Sequence, residues 1–394
     1  MHLTKEEKEC LDGKHGNAAR KSMEILKALG DIYGAERLIP VTSVQVAGVS
    51  YDNLGDAGLQ YLEELAKDGK VKVKTTLNPA GMDLRDWKKL GISDGFAEKQ
   101  HKVLKAFEKL GIETTATCTP YLVGNKPGFG DHIAWSESSA VCYSNSVLGA
   151  KTNREGGPSA LAAAIIGKTP MYGLHLERER QAKITVRVLA KIETLDDFSV
   201  LGYAIGRKIG NKIPYIKGIK HAGRDQLKMF CASIATYGGT ALFHMEGITP
   251  EKTEIPKEEE EITKEEIDAA KSALNDDCAV DFVALGCPHA SLDELKDIAV
   301  MLKGKKVKLA TWISTARKTL DAAEKLGIAK DIESSGAIIA ADTCMAVAPL
   351  KGRFTCMATN SAKACFYGHG KNSFKTRFGS TRQCIDAAVS GKWK

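Results

Sequence analysis

The chain has 394 residues, of which 43% are hydrophobic and 27% charged, with a net charge of +7; this length exceeds one ordinary core and implies two or three lobes. The positive excess is modest and scattered, not gathered into a basic face, which excludes nucleic acid as the partner and suits a small anionic substrate. No run of about twenty apolar residues exists, which excludes a membrane-spanning helix, and the charged start MHLTKEEKECLDG lacks the apolar segment of a secretory signal, so the chain is expected in the cytoplasm.

Thr4-x-x-Glu7 is a capping box opening a first helix. A second helix begins near Asn17 and is expected to stop at Gly30. Leu38 to Val46 is strand-like and ends in Gly48-Val49-Ser50. Asp56–Lys67 is amphipathic and helical, and Val71 to Leu77 alternates as a short strand ending in Asn78-Pro79. The helix Lys99–Leu110 closes at Gly111, and Ile112–Pro120 reads as a strand carrying Cys118. Val123–Ser146 is a long loop-like tract, and long loops in compact domains are usually functional or disordered. Its continuation through Arg154, Glu155, Gly156 and Gly157 feeds an apolar helix, Ser159–Ile166, as in a loop that presents a helix amino terminus to an anion.

Composition shifts after Gly167. Strands are expected at Ala182–Leu189 and Val200–Ile209 and a helix at Met229–Ala241. Glu251–Glu266 reads as an exposed linker leading into a helix capped by Thr263-x-x-Glu266. In Asp281–Glu294 an apolar run from Phe282 to Leu285 ends at Gly286-Cys287-Pro288, and Ser291-x-x-Glu294 starts the helix Leu292–Leu302. A strand (Val307–Ile313), a helix (Thr315–Leu326) and a strand ending in Cys344 (Ala337–Cys344) follow, and the tail from Lys351 is polar. The alternation predicts an α/β fold with mostly parallel sheets. The expected lobes are residues 1–150, joined by the segment 340–394, then 151–250 and 251–340.

Ten cysteines in a cytoplasmic chain do not suggest a disulfide framework. No CxxC pair exists, which removes zinc ribbons, thioredoxin-like motifs and ferredoxin-type clusters. A lone cysteine is most often a small buried hydrophobe, and Cys142, Cys231, Cys278, Cys356, Cys365 and Cys384 are read that way. Cys118, Cys287 and Cys344 differ. Each follows a strand-like run, at the strand end where α/β sheets collect ligands, beside Thr117, Thr119, Pro120, Pro288, His289 or Thr343. The shared context predicts that the three meet and hold an iron–sulfur cluster. Three thiolates in place of four leave one iron open, able to act as a Lewis acid on a departing hydroxyl. His132, His175 and His289 are candidate acid–base groups, with His289 also placed to donate to the cluster from behind, and Arg154 is a candidate anion clamp.

The combination of CTPYL at Cys118, GCPHAS at Cys287, ADTC at Cys344, SNS at Ser144–Ser146, NREGGPSAL at Asn153–Leu161 and NSAKACFY at Asn360–Tyr367 resembles the aconitase X family over essentially the whole chain. The resemblance implies an aconitase-like large subunit, with α/β/α lobes around an iron–sulfur cluster, of type [4Fe-4S] with three cysteine ligands. It implies a hydro-lyase. A chain without the small swivelling domain corresponds to the separate large subunits of archaeal members, which dehydrate (R)-5-phosphomevalonate to trans-anhydromevalonate 5-phosphate in an isoprenoid pathway. By the same resemblance, Gly48, Val49, Ser50, Asn78, Pro79, Asn145, Ser146 and Lys363 bind substrate, and the catalytic base lies on a separate small subunit. The alternatives are dehydration of another small hydroxy acid such as cis-3-hydroxyproline, a non-catalytic iron–sulfur protein, which calls for a fourth cysteine ligand, and a metal-free structural subunit.

Overall fold

Helix starts follow the capping chemistry. The Thr4 hydroxyl accepts from Glu7 N and the Glu7 carboxylate from Thr4 N, opening α1 (Lys5–Leu11). Ser291 with Glu294 and Thr263 with Glu266 repeat the reciprocal pair further along. A computed structural model describes residues 1–394, arranged as three α/β lobes.

In the first lobe, α2 (Asn17–Ile32) runs through Gly30 instead of ending there: a Cβ at Gly30 would lie 2.4 Å from Met1 Sδ, so the glycine serves close packing. The expected strand at 38–46 divides in two. β1 (Leu38–Pro40) pairs antiparallel with β5 (Lys168–Pro170), while β2 (Ser43–Val46) lies between the parallel β3 (Lys74–Leu77) and β4 (Ala134–Trp135). Helices α3 (Tyr51–Leu65), α4 (Asp94–Lys109) and α6 (Gly157–Ile166) bury their apolar faces on this sheet. The tract read as a long loop contains α5 (Ser138–Ser146), whose nine residues are all buried. Its small side chains carry little amphipathic signal, because the helix is enclosed on every side.

The second lobe is a parallel sheet in the order β8-β7-β6-β9: β6 (Ile184–Val188), β7 (Pro214–Lys217), β8 (His244–Met245) and β9 (Glu259–Ile262). Helices α7 (Leu195–Ile209), α8 (Arg224–Tyr237) and α9 (Lys264–Ala273) cover it, together with α5. Val200–Ile209 is therefore helix and not strand. The Glu-rich stretch is not a linker but an edge strand followed by the Thr263-capped helix. Charged residues suit such an edge, which solvent reaches.

The third lobe is a parallel five-stranded sheet, β12-β11-β10-β13-β14, built from β10 (Phe282–Ala290), β11 (Ala310–Thr315), β12 (Ile338–Ala341), β13 (Cys356–Thr359) and β14 (Lys375–Phe378). One face packs on α10 (Leu292–Leu302), α11 (Arg317–Lys325), α12 (Ile328–Ser334) and α14 (Thr381–Ser390). The other meets Met82, Leu90, Ile92 and Ala97 of the first lobe. Burial on both faces explains why β10 is apolar without alternation. The segment 340–394 thus completes the third lobe instead of joining the first, and the second lobe reaches from β6 to α9, past the boundary expected at 250. Cys278 and Cys356, read as separate thiols, are joined in a disulfide with Cα atoms 6.1 Å apart.

Candidate active site

Three chain reversals bring the three cysteines to one place. At Cys118 the expected strand does not form. Its contact with β3 is one bridge, Thr76 to Glu113, after which side-chain bonds interrupt the ladder. Leu77 N donates to Thr115 Oγ at 3.0 Å, Thr117 N to Leu77 O at 2.9 Å, and Gln45 Nε2 to Thr117 O at 2.9 Å. Ala116 sits at φ 42°, a left-handed conformation unusual outside glycine, and it breaks the extended run.

At Cys287 the break is made by Gly286 (φ 84°), where a Cβ would stand 2.0 Å from Ser314 O, so only glycine fits. The pairing of β10 with β11 slips between Leu285 and Ala290, and Cys287, Pro288 and His289 leave the ladder. At Cys344, β12 ends and Asp342 turns left-handed (φ 65°). Asp342 Oδ2 accepts from Arg317 Nε at 3.0 Å and from Arg317 NH2 at 2.6 Å. The same NH2 reaches Asp83 Oδ1 at 2.6 Å, and Ala80 N donates to Asp342 O at 2.8 Å. This buried Asp–Arg–Asp group ties the Asn78-Pro79 loop to the Cys344 turn.

Cys118, Cys287 and Cys344 all line one pocket of about 210 Å³, with Gly48, Val49, Ser50, Asn78, Pro79, Lys363 and Arg154 in its wall. The Asn78 side-chain oxygen is buried and has no partner. Asn145 and Ser146 are not there. Asn145 Nδ2 donates to the carbonyls of Thr152 and Ala241 at 2.9 Å each, and the Ser146 hydroxyl accepts from Phe243 N at 2.9 Å, so both brace the second lobe. They occupy the far end of α5, roughly 12 Å along its axis from the pocket at 1.5 Å per residue. The end of α5 that does reach the pocket is its cap, Glu137, which the sequence reading passed over. Its carboxylate accepts from Ala140 N at 2.6 Å and from Lys363 Nζ at 2.5 Å. Burial pushes the Glu137 carboxyl up, but the Lys363 ammonium outweighs it and holds the group below its ordinary range. Lys363 is correspondingly held charged: burial works against the ammonium, and Glu137 overrides it. Arg154, by contrast, is exposed at the pocket's mouth.

His132 and His175 face each other, Nδ1 to Nδ1 at 2.9 Å, and neither lines the pocket; burial first, then His132, brings His175 down to about 3. His289 is buried behind the cysteines, and burial likewise brings it to about 3. Neither His175 nor His289 is placed as an acid–base group for a molecule in the pocket.

Burial drives all three thiols upward, Cys287 to about 12. A buried thiolate therefore needs a compensating positive charge. Polar groups stand beside each sulfur: His289 N donates to Cys118 Sγ at 3.2 Å, the Ser361 hydroxyl lies beside Cys287, and the amides that follow Cys344 lie beside its thiol. Such donors stabilise sulfur ligands of a metal group, so the residues present fit one. No trio of His, Cys, Asp or Glu side chains converges in the way ligands of a single ion do.

The α/β lobes thus enclose one polar pocket walled by three thiols. The aconitase X first domain matches residues 1–178, the second 182–278 and the third 280–390, and the chain belongs to the aconitase X family. The family implies an iron–sulfur cluster. The phosphomevalonate dehydratase large subunit of Thermococcus kodakarensis is 51% identical over 374 residues, covering 93% of this chain and 95% of the relative. That of Methanosarcina mazei is 45% identical over 398 residues, covering 100% and 98%. The cis-3-hydroxy-L-proline dehydratase of Hypocrea jecorina is 35% identical over 415 residues, covering 99% of this chain but 69% of the relative. A crystal structure of Thermococcus kodakaraensis aconitase X in its holo-form superposes with a TM-score of 0.92 at 47% identity, covering 98% of this chain and 100% of that one.

Proposed function

We propose that this chain is the large subunit of a dehydratase that converts (R)-5-phosphomevalonate to trans-anhydromevalonate 5-phosphate, with Cys118, Cys287 and Cys344 holding a [4Fe-4S] cluster. The observation that carries the reading is the convergence of three thiols, from three separate chain reversals, on one polar pocket. The substrate follows the relatives matched over nearly their whole length, which are named for phosphomevalonate. Those named for hydroxyproline are matched over 69% of theirs. The name "large subunit" borne by the former supports a separate small subunit.

Cys118, Cys287 and Cys344 would hold the cluster, which when bound would supply Lewis-acid assistance to departure of the tertiary C3 hydroxyl. The chain's own residues bind and orient. Arg154 has no carboxylate partner, and its planar fork takes the phosphate at the pocket's mouth. Gly48 (φ 80°), Val49 and Ser50 line the pocket ahead of α3, and the absence of a side chain at Gly48 lets the substrate carboxylate approach the backbone closely. The Ser50 hydroxyl donates to Val347 O at 2.9 Å, fixing that loop to the Cys344 turn. Asn78 offers its unpartnered oxygen to a substrate hydroxyl, and Lys363, neutralised by Glu137, keeps the pocket's floor polar without adding net charge. The C2 proton goes to a base on the small subunit, so the elements of water leave from C2 and C3. The expected place of action is the cytoplasm.

The test is anaerobic co-expression with the small subunit and assay of phosphomevalonate beside cis-3-hydroxyproline. We expect about four irons per chain, lost in Cys118→Ala, and turnover of the phosphorylated substrate only. Turnover of hydroxyproline alone would overturn the substrate, and an iron-free protein active with its partner would overturn the cluster.

A further inference from the structure

Four hydrogen bonds around the cysteines meet at one residue. His289 is fully buried, and every polar group on it is used. Its backbone N donates to Cys118 Sγ at 3.2 Å. Its Nδ1 lies 3.0 Å from Thr117 Oγ, and its Nε2 lies 3.1 Å from Thr343 O. Its carbonyl accepts from Lys228 Nζ at 3.1 Å, an ammonium on α8 that is itself fully buried and also paired with Glu294. The residue thus touches the Cys118 turn of the first lobe, the α8 helix of the second and the Cys344 turn of the third, while standing two positions after Cys287.

The partners also fix the ring's tautomer. Thr343 O is a carbonyl and only accepts, so Nε2 carries the hydrogen. No carboxylate is among the ring's partners, so the buried imidazole has one hydrogen to give, and Nδ1 must accept from the Thr117 hydroxyl. Thr117 Oγ can do so because Thr119 supplies its remaining contacts, from N at 3.2 Å and from Oγ at 3.1 Å. The chain Thr119–Thr117–His289–Thr343 therefore runs in one direction, from the Cys118 turn to the Cys344 turn.

We propose that His289, locked as the Nε2–H tautomer between Thr117 and Thr343, is the positioning residue that sets the spacing of Cys118, Cys287 and Cys344 and so governs how firmly the cluster is held. This rests on the reading that those three cysteines are its ligands. His289 touches neither substrate nor reacting atoms, so its effect passes through the sulfurs. Outer partners of metal ligands change affinity or activity by about 10–100-fold when removed.

The test compares Thr117→Val, which keeps the shape and removes one hydroxyl, with His289→Gln, which keeps a donor toward Thr343 and loses the acceptor toward Thr117. Each is reconstituted anaerobically with iron and sulfide. Iron per chain, the rate of iron loss to a chelator, and the melting temperature of the iron-free chain are measured. We expect both variants to lose iron about tenfold faster or more, while the iron-free chains melt within a few degrees of the unaltered one. Iron loss at the unaltered rate in both variants would overturn the proposal. So would melting of both iron-free variants far below the unaltered chain, since the histidine would then serve folding alone. An unaltered chain that takes up no iron sinks the cluster reading itself, and that result is visible without either variant.

Discussion

Lys363 and Glu137 form a buried ion pair in the pocket, and their worth lies in being paired. Removing one partner leaves an uncompensated buried charge, at a cost of roughly 3–5 kcal/mol. Lys363→Met should lower stability by about that amount in urea unfolding, and the double variant Lys363→Met, Glu137→Gln should recover most of it. Arg154 answers to a different measurement. It is exposed and holds no partner, so Arg154→Gln should leave melting unchanged. Loss of a charge-assisted hydrogen bond, worth about 1.5–3 kcal/mol, should raise KM for the phosphorylated substrate roughly 10–150-fold with little change in kcat. That Cys118, Cys287 and Cys344 could share one pocket was legible from the turn residues beside each, whereas Lys363 was singled out only through the family motif NSAKACFY. Glu137 was not legible: its role depends on a lysine 226 positions away, and no periodicity or spacing encodes that. Asn145 and Ser146 show the opposite failure, polar residues whose capacity is spent on neighbouring carbonyls and amides.

Among elements, α7 shows why a helix can pass for a strand. Val200, Ile205 and Ile209 carry β-branched side chains that favour strands. The buried face, however, is Phe198, Leu201, Ile205 and Ile209, spaced by three and four, and Thr194 with Asp197 forms a capping box before it. The period and the cap are both present in the sequence, and they outweigh the β-propensity of the branched residues. Asp197 gives the element a pH signature. Burial raises its carboxyl, but the Thr194 amide and Lys271 together outweigh this and leave it below its ordinary value. A carboxyl lowered on folding adds stability above its unfolded pKa, near 3.9, and that stability is lost as pH falls through the folded value. The stability gap between the unaltered chain and Asp197→Asn should therefore be full at pH 7 and shrink below about pH 4, as read from urea melts across that range. The Cys118 segment differs from a strand for a reason absent from the sequence pattern: Ile112 to Cys118 has a strand's composition, but its backbone bonds to β3 alternate with bonds made by the side chains of Thr115 and Gln45.

For the molecule as a whole, strand–helix alternation made the α/β class legible, while lobe membership was not, since it depends on which strands pair. β12, β13 and β14 join β10 and β11 across more than ninety residues of chain (378 − 282 = 96). The Cys278–Cys356 disulfide closes part of that span, with 78 residues between its ends. In the loop-entropy account this adds up to about 4.5 kcal/mol. Reductant should lower the melting temperature of the unaltered chain, and Cys278→Ser, Cys356→Ser should melt low with or without reductant. Asp281 braces the same junction, accepting from Thr355 N, Thr355 Oγ and Cys356 N, so the third lobe should still fold when the bond is open.

The pocket's three thiols come from positions 118, 287 and 344, each from its own chain reversal, and no fragment presents two of them as neighbours in sequence. At a synthesis rate of about 5–20 residues per second, the 226 positions between the first and the last (344 − 118) take roughly 10–45 s to emerge. During that interval Cys118 and then Cys287 wait beside a partly made wall, and the Arg317 clamp that sets the last turn is itself among the late arrivals. Assembly of this centre is thus ordered by translation: a group held by all three sulfurs can be loaded only once Cys344 has been made, and a chain truncated before β12 would lack both that thiol and three strands of the third-lobe sheet.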